Sequence, residues 1–478
     1  MNFSLVLCWS VIRAIIVCSL ATGLFVPLRN TLRQQKGSHD FTRWLPALAV
    51  VPLFMPDLLL GFTYRLVSAK FDFSAVTTET FYAALLLTKV IAIQMICHWL
   101  VPPSEVSPSA IHLWKLTAQN SLRSRLALVR MMLSGPYRSI TVGWILGALG
   151  CFQDFEIAAL LQIEQHPIAW TVWLFDAKAA NEPLLSCVFF ALPAIVIQGA
   201  FIAACVVALQ ANQAKPQEQS DAIVNGGWAS NTSWFHVSTC VIGVGFLLTI
   251  AWPITLHGVS GIKGLWKLTA TGTLQLGMEQ IFKSVLVAIL SAIASWRLAR
   301  WLFTTKSIRL TLIAIIPGLL SPLALCLLLL LLFLTPLFRP IYDSWIPLIV
   351  AQTLWLLPRA FLFNVAVERT FRSEQIHTAA LLNHSRNRHT QKKAKQLRWL
   401  LEQRPVWFSV TVLTVMAFWE VTINSILHPV SLEPMVCRLY REMHFGHTEV
   451  LAVFTALSIA LPLLILAIGA QMWKLVRK

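Results

Sequence analysis

The chain has 478 residues, of which 57% are hydrophobic and only 12% charged, with a mean hydropathy of +0.68. Soluble domains carry about 25% charged residues, so a water-soluble core-and-shell design is excluded and most of the chain must face lipid or other membrane helices. The formal charge of +17 suggests nucleic acid, but the Lys and Arg residues gather in loops between apolar runs, where they set membrane orientation instead.

A helix crossing a bilayer needs about 20 mainly apolar residues. By that measure the predicted spans are, in chain order, 4–28, 45–65, 80–101, 139–162, 184–210, 235–256, 281–302, 309–335, 345–367, 406–427 and 449–473. The expected fold is therefore an all-α polytopic membrane protein with about eleven transmembrane helices. These runs do not alternate polar and apolar residues, as the strands of a membrane β-barrel would. The first run has no basic start, is interrupted by Arg13 and leads to no small-residue cleavage site, so a retained helix is expected there rather than a signal peptide. The nine cysteines are scattered, with no C-x-x-C pair and no zinc-ligand spacing; they read as small apolar residues within helices.

The basic loops fix the expected orientation. Segment 368–405 carries Arg369, Arg372, Arg386, Arg388, Lys392, Lys393, Lys395, Arg398 and Arg404, and a loop this basic stays in the cytoplasm. Alternation then places 29–44, 102–138, 211–234, 303–308 and the C-terminal tail on the same side, with Arg29, Arg33, Lys36 and Arg43, then Lys115, Arg123, Arg125, Arg130 and Arg138. The opposite loops hold Asp72, Glu79, Glu164, Asp176, Glu182 and Glu433. The N-terminus is expected outside and the C-terminus in the cytoplasm, in an inner (plasma) membrane.

Segment 211–234 is the least hydrophobic of its length and reads as a cytoplasmic linker between halves 1–210 and 235–478. A parallel repeat supports the division. Each half has a basic residue early in a span (Arg13, Lys283), then a Pro-containing run (Pro52 and Pro56; Pro317 and Pro322), a span, a long basic loop and an acid at a helix end. Phe152-Gln-Asp154-Phe-Glu156 answers Phe418-Trp-Glu420-Val. An acid at membrane depth is costly and usually faces a cavity, so Asp154 and Glu420 are the candidate pathway residues. Arg13 and Lys283 are expected to be paired or snorkelling, and Arg359 after Pro358 reads as a helix end.

Within the second basic loop, Ile376, Ala379 and Ala380 form a narrow stripe of small residues at helical spacing. Asn383 stands where such a helix would turn, and Asn tolerates positive φ. The run His377-Thr378-Ala379-Ala380-Leu381-Leu382-Asn383 resembles the EAA loop, E-A-A-x-x-L-G, of binding-protein-dependent ABC importer permeases of the type I, MetI-like class. Leu334–Pro347, Leu357-Pro358-Arg359-Ala360-Phe361, Phe418-Trp419-Glu420 and Met435–Tyr440 resemble the ferric-iron and thiamine branch, with two halves fused on one chain. The pattern's Glu is replaced by His377 and its Gly by Asn383.

The resemblance implies that His377, Thr378, Ala379, Ala380, Leu382 and Asn383 seat in a groove of a separate ATPase subunit, present in two copies. Ser121 and Leu128 would hold the equivalent, more divergent place in the first loop. It further implies delivery of the solute by an extracytoplasmic binding protein; ferric iron is favoured, with thiamine, polyamine, sulfate or phosphonate as alternatives. Relatives of that branch often carry one more helix at the front. The chain has no G-x-x-x-x-G-K-[ST], H-E-x-x-H or G-x-S-x-G. It is therefore expected to be no enzyme and to need no cofactor, with lipid as its surroundings. The readings from other classes are an ion-coupled secondary transporter and a degenerate, non-transporting permease homologue.

Overall fold

The computed structural model describes residues 2–34, 40–101, 126–127, 129, 131–133, 135–161, 169–210, 232–271, 273–305, 307–370, 381–382, 391, 394–397, 399 and 403–476. Among these the regular structure is helical and there are no strands. The chain divides into two compact units, Met1–Thr255 and Leu256–Lys478.

In unit 1 the helices are α1 (Phe3–Gln34), α2 (Asp40–Val50), α3 (Asp57–Phe71), α4 (Ala75–Leu100), α5 (Arg138–Gln153), α6 (Glu156–Leu161), α7 (Trp170–Ala179), α8 (Leu184–Gln210) and α9 (Thr232–Phe246). The unit boundary falls inside α10 (Trp252–Thr271). Unit 2 continues with α11 (Thr273–Thr305), α12 (Ile308–Leu319), α13 (Pro322–Phe333), α14 (Trp345–Thr370), α15 (Arg404–Trp419), α16 (Val421–Leu427), α17 (Met435–His444) and α18 (Thr448–Val476).

Among the described residues, seven helices are long and apolar enough to cross a membrane, and ten spans result if each of three bent pairs counts as one. The chain is therefore a multi-pass, membrane-embedded all-α protein. Predicted run 139–162 divides into α5 and α6 at Asp154, and so forms no single long helix. The three bends lie between α2 and α3 (83°), α12 and α13 (105°), and α15 and α16 (59°). Prolines account for the first two. Pro56 and Pro322 have no N–H to continue the ladder, and each pushes the residue before it into extended backbone, at Met55 and Ser321.

The same packing order recurs in each unit. In unit 1, α4 packs on α1, α2 and α5; α5 on α1 and α8; α3 on α6; and α7 on α1 and α8. In unit 2, α14 packs on α11, α12 and α15; α15 on α11 and α18; α13 on α16; and α17 on α11 and α18. Helices α5 and α15 are each 16 residues long and each opens on an Arg. The first N–H of α7 (Trp170) donates to Ser10 on α1 over 3.2 Å, and that of α17 (Met435) to Ser284 on α11 over 2.8 Å.

Helix α9 packs on α1 and α2, with Ser238 donating to the Leu24 carbonyl and Tyr64 to that of Leu248. The division into units thus falls one helix beyond the predicted linker, of which residues 211–231 lie outside the described residues. Arg359 is not at a helix end. It lies inside α14, where Pro358 is absorbed without ending the helix.

Candidate functional site

Two of the helix breaks carry networks of buried polar groups. A helix that stops inside an apolar bundle strands carbonyls at one end and N–H groups at the next, and each needs a partner. At the α5–α6 break these partners come from α7 and α4. The Trp170 indole donates to the Phe152 carbonyl (2.6 Å), and the Thr171 hydroxyl to the Asp154 carbonyl (2.6 Å). The Asp154 carboxylate accepts the Ala158 N–H (3.2 Å) and the Tyr82 hydroxyl (2.8 Å).

Tyr82 belongs to a polar stripe on α4. Glu79, Tyr82 and Lys89 lie on one side of that mainly apolar helix, at separations of three and seven residues. Arg13 on α1 donates to both Glu79 oxygens, and its guanidinium sits 4.7 Å from the Tyr82 ring centre. Lys89 pairs with Asp57, the first residue of α3. Gly61 lets α3 and α6 approach closely, since a Cβ there would lie 2.8 Å from that of Leu160.

In unit 2 the break is built more from amides. Glu420 is in extended backbone between α15 and α16, 5% exposed, and its carboxylate accepts the Ile423 N–H. Asn424 donates to the Glu420 carbonyl, and Gln352 on α14 donates to Asn424 (3.2 Å) and to the Ala417 carbonyl (3.3 Å). Ser321 caps α13 through the Ala324 N–H (3.2 Å).

The two acids singled out in the sequence therefore occupy equivalent places, each immediately after a 16-residue helix and each capping the short one that follows. Lys283 pairs with Glu279, one turn earlier on its own helix, at 2.6 Å.

Ser121, Leu128, His377, Thr378, Ala379, Ala380 and Asn383 lie outside the described residues. Leu382 lies in a helical turn and is exposed. The end of the first basic loop is anchored: buried Arg29 donates to the Pro136 carbonyl (2.9 Å), and Arg138 to the Ala208 carbonyl on α8 (3.0 Å). Sequence reasoning placed Glu79 in an outer loop, whereas it lies on α4, and it did not find Tyr82, Lys89, Trp170 or Gln352. Polar residues sharing one side of an apolar span were the available signal on α4. Among the described residues no cluster of three His, Cys, Asp or Glu has metal-binding geometry.

Trp170→Phe tests the break directly. The ring is kept and the indole N–H is lost, which leaves the Phe152 carbonyl without that donor in a buried site. A loss of about 1–3 kcal/mol is expected, seen as a lower unfolding midpoint in detergent.

No protein-family model, curated protein or solved structure matches the chain.

Proposed function

We propose that this chain is the membrane permease subunit of an ATP-driven importer, with both halves of the permease on one polypeptide. The observation that carries the reading is the twofold recurrence of one helix order, each copy interrupted by a long basic loop between α4 and α5 or between α14 and α15. The second loop holds the EAA-like run. In this reading two copies of a separate ATPase grip loops 104–138 and 370–404, and their closure on ATP is passed to the helices that the loops join. The solute, ferric iron before thiamine, polyamine, sulfate or phosphonate, arrives on an extracytoplasmic binding protein. It passes the helix breaks capped by Asp154 and Glu420. The basic loops lie in the cytoplasm and the N-terminus outside.

Ala380→Glu tests the docking assignment. A bulky charge on the small-residue stripe is expected to lower co-purification of the ATPase at least about tenfold, the scale of a lost interface anchor, while the detergent-solubilised chain stays monodisperse. Undiminished co-purification would overturn the assignment. An ion-coupled transporter brings no P-loop protein with it on purification. A non-transporting homologue supports no ATP- and binding-protein-dependent uptake in liposomes.

A further inference from the structure

Two cations occupy one position in the two copies of the repeat. Lys89 is the fifteenth residue of α4 and Arg359 the fifteenth of α14. Two turns earlier, at the eighth residue of each helix, stand Tyr82 and Gln352, and each reaches its unit's helix break: Tyr82 to Asp154, Gln352 to the Ala417 carbonyl. Seven residues return a helix to nearly the same face, so the cation and the break contact share one side of the helix in both units. Beyond leucines the surrounding sequence differs. Leu87-Thr88-Lys89-Val90 stands against Leu357-Pro358-Arg359-Ala360.

Each cation lies within electrostatic reach of an acid at its own unit's break. Lys89 is ion-paired with Asp57 at the start of α3 and lies within electrostatic reach of Asp154 and Glu156 at the α5–α6 break. Arg359 lies over the Trp355 ring at 4.0 Å, donates to the Trp355 carbonyl (2.6 Å), and is within electrostatic reach of Glu420. The acids differ in number because the half-helices open differently. Helix α3 begins with Asp57 and α6 with Glu156, whereas their counterparts begin with Pro322 behind the neutral cap Ser321 and with Val421.

We infer that Lys89 and Arg359 are one repeated positioning site, the internal counter-cation that holds the carboxylates opening the half-helices behind each break. The requirement is for a cation rather than for one side chain's shape, since Lys serves in one copy and Arg in the other. A buried acid stripped of its cation is costly, while removal of both partners together is tolerated. The inference stands whether or not the chain transports by the route proposed above.

The test uses the full chain, solubilised from membranes, with monodisperse yield and unfolding midpoint as readouts. Arg359→Met is expected to cut the yield about tenfold or more, and Arg359→Lys to retain it. Arg359→Met combined with Glu420→Gln is expected to recover at least about half of the lost yield, because Gln keeps an oxygen for the Ile423 N–H. Lys89→Met combined with Asp57→Asn should recover less, with the Asp154 and Glu156 carboxyls still in place. As a control, Arg359→Met with Glu449→Gln should not recover. Wild-type yield for Arg359→Met, a deeper loss on adding Glu420→Gln, or equal rescue by Glu449→Gln would each overturn the inference.

Discussion

Arg13→Met is expected to destabilise unit 1 by about 3–5 kcal/mol, the scale of breaking a buried ion pair from one side. Arg13 sits in the interior of the Phe3–Arg29 span and is 5% exposed. Its guanidinium gives two N–H groups to Glu79 on α4 and lies over the Tyr82 ring, whose hydroxyl in turn holds Asp154. Met fills the volume but leaves Glu79 without that guanidinium, and an acid at this depth is expensive. Arg13→Lys keeps the charge and loses the planar fork, so an intermediate loss is expected. Adding Glu79→Gln to Arg13→Met should recover much of the loss, which a double-mutant cycle on detergent unfolding midpoints would measure. The counterpart in unit 2 gives the contrast. Arg13 is the eleventh residue of α1 and Lys283 the eleventh of α11, yet Lys283 is 41% exposed and pairs along its own helix with Glu279. Lys283→Met is expected to cost no more than about 1 kcal/mol.

This contrast shows what a single sequence makes legible here. Apolar length gives the polytopic all-α class and most of the spans, because membrane thickness sets the length of a helix regardless of its neighbours. The prolines give two of the three bends, because a missing N–H acts locally. The repeat is legible in the order of basic, Pro-containing and acidic landmarks. Partners are not legible. Tyr82 and Asp154 are 72 residues apart, and Gln352 and Asn424 likewise 72; nothing local in either segment announces the other. In the sequence Asp154 reads as an acid within one span, because the flanking residues are apolar enough to continue it. The extended backbone at Asp154 and Glu420 depends on capping groups from α4, α7 and α14. Arg359 misleads for a related reason. Pro358 reads as a helix end when α14 is considered alone, and the surface that accommodates the proline belongs to α12.

That surface makes Gly318→Ala the second large effect. Pro358 has no N–H to give the carbonyl of Leu354, four residues earlier, and its ring crowds that oxygen. Gly318, near the end of α12, lies directly on this freed carbonyl: a Cβ added there would stand 1.9 Å from the Leu354 oxygen and 2.6 Å from Cδ of Pro358. Both obstacles are backbone or ring atoms, so no flexible side chain can yield. Overpacking a core usually costs about 1–3 kcal/mol, and this methyl group would have to push α12 and α14 away from each other, so the upper end or beyond is expected. The readout is monodisperse yield together with the unfolding midpoint. Gly23→Ala on α1 and Gly199→Ala on α8 are the matched controls, since nothing lies within 4 Å of a Cβ at either position. In water the exchange favours Ala by up to about 1 kcal/mol, so neither control should lose stability. A Gly318→Ala protein as stable as these controls would mean that α12 does not rest on the Pro358 kink, and the Pro-Gly contact would no longer explain why α14 runs on through its proline.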